Sequence, residues 1–147
     1  MKLRPFAFLT LLGVIVLTGY SCSKNDQFLI PMEQYIEENN IVLTKQTNRG
    51  IGVVIDVEGS SAKPSQNSSV TVNYTGYLTN GDQFDSGNDV TFSLTQVIAG
   101  WTEGIPESGR GGKGTLYIPY ELAYGTAGRG SIPPSADLIF EIELLDF

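Results

Sequence analysis

Between residues 51 and 57 the chain alternates. Ile51, Val53, Ile55 and Val57 are apolar, with Gly52, Val54, Asp56 and Glu58 interleaved. Successive side chains of a strand point to opposite faces, so this period of two predicts a strand with one mainly apolar face. The pattern returns in Val70, Val72 and Tyr74, set between Thr71, Asn73 and Thr75. It returns again at the end of the chain, where Leu138, Phe140, Ile142 and Leu144 stand between Ile139, Glu141, Glu143 and Leu145. The first set of that last strand is expected to face the core. Thr91 to Leu94 and Thr115 to Ile118 read as shorter strands. Gly59 to Ser69, rich in Ser, Gly, Pro and Asn, reads as a loop. Asn80-Gly81 predicts a hairpin turn in which both central residues take positive φ, with Gln83-Phe84-Asp85 returning beside the preceding strand.

Helical spacing is scarcer. Met32, Tyr35 and Ile36 share one face and Glu33, Glu37 and Glu38 lie mostly on the other; Pro31 suits a first turn and Asn39-Asn40 a stop. A second helix is expected within Val97 to Gly104, kept short by Pro106. Several strands and one short central helix imply an α+β fold, an antiparallel sheet curled over that helix. Trp101, the single tryptophan, is expected to face inward from it. Two roles are open for it. A lone tryptophan is ordinarily core filler, but Tyr74, Phe84, Phe92 and Tyr124 fall on or beside strands and would together line a concave aromatic pocket over the indole.

Two motifs by letter carry nothing. Gly109 to Gly114 spells a dinucleotide-type glycine pattern, but it follows a helix and precedes a strand, the reverse of what that motif needs. Asn73-Tyr74-Thr75 is a sequon placed mid-strand. Tyr120 to Arg129 reads as a loop broken by Gly125 and Gly128 and closed by Ile132-Pro133-Pro134.

Composition narrows the chemistry. A length of 147 residues with 41% hydrophobic content suits one packed domain. The absence of histidine and the single cysteine remove serine–histidine and cysteine–histidine catalysis, zinc clusters and disulfides; no metal or cofactor is expected. A formal charge of −7 disfavours a nucleic-acid partner, which needs a positive face.

The first 21 residues form a separate object. Lys2 and Arg4 precede a nearly unbroken apolar run from Phe6 to Leu17, the pattern of a secretory signal and too short for the roughly 20 residues of a membrane span. Cys22 follows, placed like the lipid-acceptor cysteine of bacterial lipoproteins, although Gly19 stands where those usually carry leucine. Cleavage before Cys22 leaves seven cationic side chains against 16 acidic ones, a charge that anionic headgroups repel, so a lipid would have to supply the membrane attachment. Residues 22–48 are then expected to be a lipid-anchored tether with a short helical segment, and residues 49–147 the functional domain. The Pro31–Asn39 helix has too few apolar positions for a dimer seam, and a monomer is expected.

From Ile51 to Phe147 the sequence resembles the FKBP-type peptidyl-prolyl isomerases. The resemblance rests on Val70-Thr71-Val72-Asn73-Tyr74-Thr75-Gly76, Phe84-Asp85-Ser86, Val97-Ile98-Ala99-Gly100-Trp101, Leu116-Tyr117-Ile118-Pro119, Ala123-Tyr124-Gly125, Ile132-Pro133-Pro134 and Leu138-Ile139-Phe140-Glu141, in that order. The start of the chain is similar to exported lipoprotein members in bacterial envelopes. The resemblance implies a twisted antiparallel sheet wrapped round one short helix and a hydrophobic cleft that accelerates rotation about X-Pro bonds in polypeptide substrates and also takes macrolide inhibitors. By motif, the catalytic positions would be Asp85, Tyr124 and Trp101, and the substrate-binding ones Tyr74, Phe84, Phe92, Val97, Ile98, Ile132 and Phe140. Asp85 has two readings, a residue that orients Tyr74 or polarises the surroundings of the rotating carbonyl, or a turn-capping aspartate. Three departures bear on substrate preference: a short segment between Asp85 and Phe92, Gly87 in place of the family's second serine, and a compact Gly125–Ile132 loop carrying Arg129 and Ser131 near its tip. A chaperone-like module that holds proline segments without turnover and a scaffolding lipoprotein are the rival readings.

Overall fold

The computed structural model describes residues 29–147. In chain order these form helix α1 (Met32–Glu38), strands β1 (Lys45–Gln46), β2 (Gly52–Val57), β3 (Ser69–Leu78) and β4 (Gln83–Ser93), helix α2 (Ala99–Gly104), and strands β5 (Lys113–Ile118) and β6 (Leu138–Asp146). Short 3-10 turns lie at Ile105–Glu107, Tyr120–Leu122 and Gly125–Ala127. All strands join one antiparallel sheet in the order β1-β2-β5-β6-β3-β4. This is the α+β arrangement the alternation predicts.

Helix α2 rests on one face of the sheet because two glycines let it. Gly100 and Gly104 are one turn apart and so share a face. A Cβ at Gly100 would collide with Ile118, and one at Gly104 would lie 2.6 Å from a methyl of Leu116, so the helix backbone sits directly against β5. Trp101 is consequently turned across the sheet. Around it Ile51, Val70, Val72, Leu94, Ile118, Leu138 and Leu144 form the fully buried core. Pro106 falls in the 3-10 turn that ends α2, as its missing N–H and fixed φ require.

The opposite face is also covered. Met32, Tyr117 and Ile139 form a second buried cluster, with Tyr35, Ile36, Ile41, Leu43, Val54 and Tyr77 packed against it. Val54 and Ile139 therefore sit in the polar phase of their strands because α1 and the segment after it lie on that side. Asp137 anchors this layer: its Oδ2 accepts the Met32 N–H at 2.7 Å and its Oδ1 the Tyr120 N–H at 2.8 Å. Thr79 Oγ1 accepts the Ile30 N–H at 3.1 Å. The segment from Leu29 onward is thus packed on the domain.

Two local expectations need correction. Gln83–Asp85 and Thr91–Ser93 are not separate strands; they belong to the single strand β4 with a bulge in it, and Leu94 lies just beyond its end. Val72 pairs with Val90 and Tyr74 with Gly87, leaving Asn88 and Asp89 opposite Asn73. Asp89 takes φ +55° and donates its N–H to Asn73 Oδ1 at 2.9 Å. The bulge breaks the alternation, and with it the sequence signal. The hairpin turn also differs. Gly81 has φ +88°, whereas Asn80 is not among the left-handed residues. Asn80 works through its side chain instead, accepting the Asp82 N–H at 3.0 Å, and Gly81 N–H donates to the Leu78 carbonyl. The loop is longer than two residues, with Tyr77 paired to Gln83.

Candidate active site

The structure gathers every cleft residue expected from the sequence. Tyr74, Phe84, Asp85, Phe92, Val97, Ile98, Trp101, Tyr124, Ile132 and Phe140 line one open cleft of about 790 Å³. It lies between α2, the β3–β4–β6 side of the sheet and the loop from Tyr120 to Ile132. Sequence reasoning missed Gln96, Ala99 and Ala123, and placed Arg129, Gly130 and Ser131 near the cleft only as loop residues; all six belong to its lining. Each of the first three adjoins an expected site residue, the one signal that was available. Cys22 lies outside the described residues.

Trp101 is the floor and is only 4% exposed. Its ring meets Tyr74 at 5.1 Å, Phe140 at 5.2 Å and Phe92 at 5.3 Å between centroids, with interplanar angles of 82°, 81° and 89°. Phe84 stands on Phe140 in the same manner, at 5.4 Å and 89°. Edge-to-face contacts are the favoured geometry of aromatic pairs. The rings thus brace one another through their edges, so the two open readings of Trp101 merge: the indole belongs to the core and forms the pocket floor. Strand alternation places these rings, since Tyr74, Phe92 and Phe140 project from three neighbouring strands toward the helix.

The polar groups are few. Tyr74 Oη donates to Asp85 Oδ2 at 2.9 Å, and the Ser86 N–H donates to Asp85 Oδ1 at 2.9 Å. Asp85 therefore holds a cleft tyrosine through one oxygen, and the backbone contact of the other lies inside β4, not in a turn. Among the described residues neither the Tyr124 hydroxyl nor the Ile98 N–H has a protein partner, leaving two donors for a ligand carbonyl. The Ile98 carbonyl is engaged, accepting from the Trp101 N–H at 3.0 Å, which fixes the direction of the Ile98 peptide. Thr102 Oγ1 donates to the Leu94 carbonyl at 2.6 Å and ties α2 to the end of β4.

Partial burial, and then the hydrogen bond and negative charge of Asp85, push the Tyr74 phenol up to about 12. Tyr74 is thus a neutral donor across the physiological range. A raised folded-state pKa contributes stability that is intact below the unfolded phenol's value near 10 and is lost as pH rises through about 12. Thermal melting from pH 9 to 12 should therefore show a steeper loss for the wild type than for Tyr74→Phe; parallel curves would contradict this.

Among the described residues the cleft is walled by rings with isolated donors and holds no nucleophile–base pair, a lining suited to apolar, carbonyl-bearing segments. The FKBP-type peptidyl-prolyl cis-trans isomerase family model matches residues 60–145, and this chain belongs to that family. An FKBP-type peptidyl-prolyl cis-trans isomerase FkpA of Aeromonas hydrophila is 46% identical over 105 residues, covering 69% of this chain and 39% of that protein. The crystal structure of FkpA from Escherichia coli superposes with a TM-score of 0.72 at 39% identity, over 78% of this chain and 56% of that one. A peptidyl-prolyl cis-trans isomerase of Pseudomonas syringae gives a TM-score of 0.71 at 34% identity, over 78% and 88% of the two chains. The fold is FKBP-like. The chain spans about two fifths of the length of the curated FkpA relatives it matches.

Proposed function

We propose that this protein is a peptidyl-prolyl cis-trans isomerase acting on X-Pro bonds of exported polypeptides. The observation that carries the reading is the buried indole floor ringed edge-on by Tyr74, Phe92 and Phe140. Rotation about the X-Pro bond must break amide resonance against a barrier of roughly 18–20 kcal/mol. No covalent bond breaks, so no nucleophile is required. The twisted amide loses its charge-separated resonance form and is less polar than the planar one. A water-poor aromatic cleft therefore favours the transition state over the ground state, which is differential binding. Trp101 supports the proline ring, with Tyr74, Phe92 and Phe140 as walls and Val97, Ile98, Phe84 and Ile132 at the sides. Tyr124 Oη and the Ile98 N–H hold substrate carbonyls, and Asp85 fixes Tyr74. Macrolides that present an apolar ring and carbonyls would occupy the same cleft.

The test is a protease-coupled assay on Leu-Pro and Phe-Pro peptides. Tyr124→Phe removes one neutral hydrogen bond, worth about 0.5–1.5 kcal/mol, so kcat/KM should fall by no more than roughly tenfold. Asp85→Ala should lower the rate in a protein that melts cooperatively. Full activity in both variants would leave the aromatic walls alone as catalyst, and a wild type that binds the peptides without turnover would be a holding module.

We further propose that residues 1–21 are a signal peptide, that Cys22 becomes the lipid-bearing first residue, and that the domain works as a monomer on the envelope side of the membrane. No helix among the described residues is long and apolar enough to span a bilayer. Labelling with a fatty-acid analogue should mark the wild type and spare Cys22→Ala; equal labelling would refute the anchor.

A further inference from the structure

The described domain is acidic, and nearly all of its few cations are spoken for. Residues 29–147 contain six cationic side chains. Four of them face carboxylates: Lys45 with Glu107, Arg49 with Glu103, Arg110 with Asp146, and Lys113 with Glu143. Lys63 donates to the Glu107 carbonyl. Among the described residues Arg129 alone has neither a carboxylate nor a carbonyl on its side chain, and it lines the cleft. Its guanidinium lies over the ring of Tyr124, 5.5 Å from the centroid.

The backbone fixes where this charge sits. Arg129 and Ile132 exchange two N–H···O bonds, both 2.9 Å. Gly128 enters the turn with φ +67°, and a Cβ there would collide with the Ile132 carbonyl, so the chain closes tightly beneath the arginine. Ile132 is buried in the core. The guanidinium is thus an exposed, unpaired charge on a rigid turn, stacked on the tyrosine whose hydroxyl points to substrate in the reading above.

Resting on that isomerase reading, we propose that Arg129 determines specificity, favouring substrates with an acidic side chain adjacent to the proline. The domain's overall negative charge repels acidic segments, and Arg129 is the local exception in the cleft lining. A guanidinium offers paired donors matched to a carboxylate, and its ring contact holds it facing the cleft.

The experiment measures kcat/KM on Glu-Pro against Gln-Pro peptides, and Pro-Glu against Pro-Gln, for the wild type, Arg129→Gln and Arg129→Glu. An exposed pair contributes modestly, so in at least one pair of peptides the acidic-to-neutral ratio should be about two- to fivefold higher in the wild type than in Arg129→Gln. It should fall further in Arg129→Glu, and the differences should shrink in 1 M salt, where the screening length is about 3 Å. Equal ratios in all three proteins would overturn the proposal. Turnover of the neutral peptides by the wild type reads the isomerase activity separately. Should it be absent, the same ratios are taken from peptide dissociation constants, and equal values there would overturn the inference on its own terms.

Discussion

Trp101→Leu is expected to yield a protein that still folds but melts earlier and has lost most of its turnover. Leucine cannot replace an indole whose edges and faces meet three rings. The vacated volume sits in the centre of the core, where large-to-small changes cost about 2–5 kcal/mol. The change removes the floor as well. Tyr74, Phe92 and Phe140 lose the ring they meet edge-on, and a bound proline ring would lose the proposed floor. A fall in kcat/KM of at least about tenfold, or 1.4 kcal/mol of transition-state stabilisation, should accompany the drop in stability. Chemical denaturation run beside the peptide assay separates the two effects. A destabilised variant with wild-type kcat/KM would show that the indole is core filler only.

Asp137→Ala is expected to destabilise the fold although it lies away from the cleft. One carboxylate accepts the N–H groups of Met32 and Tyr120, joining the layer behind the sheet to the turn that leads to Tyr124. Alanine leaves two partly buried donors unpaired, each costing about 1–3 kcal/mol. Part of that is offset, because burial pushes the Asp137 carboxyl above its ordinary range and ionising it already costs the folded state. The raised value gives stability that is full below the unfolded carboxylate's pKa and is lost as pH rises through the folded one. A net loss of about 2 kcal/mol is expected at neutral pH, with Asp137→Asn, which keeps one acceptor, losing less. Urea denaturation gives the answer, and equal stability of Asp137→Ala and wild type would contradict the clamp.

Much of this fold was legible because strand alternation is a local signal. Ile51–Ile55, Val70–Tyr74 and Leu138–Leu144 announce their inward faces one residue at a time, whereas Val57, expected on the same face, is exposed beyond a register shift after Ile55; Pro106 marks the end of α2. What failed to register was set by tertiary geometry. Asn88-Asp89 makes a bulge that needs the Asn73 side chain from the neighbouring strand to accept the Asp89 N–H, and no pattern within β4 encodes that. Asn80 serves its turn through a side-chain acceptor although the dipeptide suggested a left-handed backbone. Val54, Tyr77, Tyr117 and Ile139 are covered because α1 packs behind the sheet, an arrangement that a helix of seven residues hardly advertises. The cleft was legible mainly through its motifs. Periodicity says that Tyr74 and Phe140 point inward but not that their rings leave a space between them. Gln96 escaped, and Arg129 registered only as a loop residue, because a rim position depends on how a loop folds back.

The central claim is that an apolar, ring-walled cleft with no titrating catalyst accelerates rotation about X-Pro bonds. The most direct measurement is exchange spectroscopy by NMR on a Leu-Pro peptide with catalytic amounts of the purified wild-type protein, repeated across pH 6–9. The account predicts that cis–trans exchange, which takes tens to hundreds of seconds unaided, becomes fast enough to give exchange cross-peaks, at a rate that stays level across that range. A peptide that binds the cleft while its cis–trans exchange remains at the uncatalysed rate would contradict it.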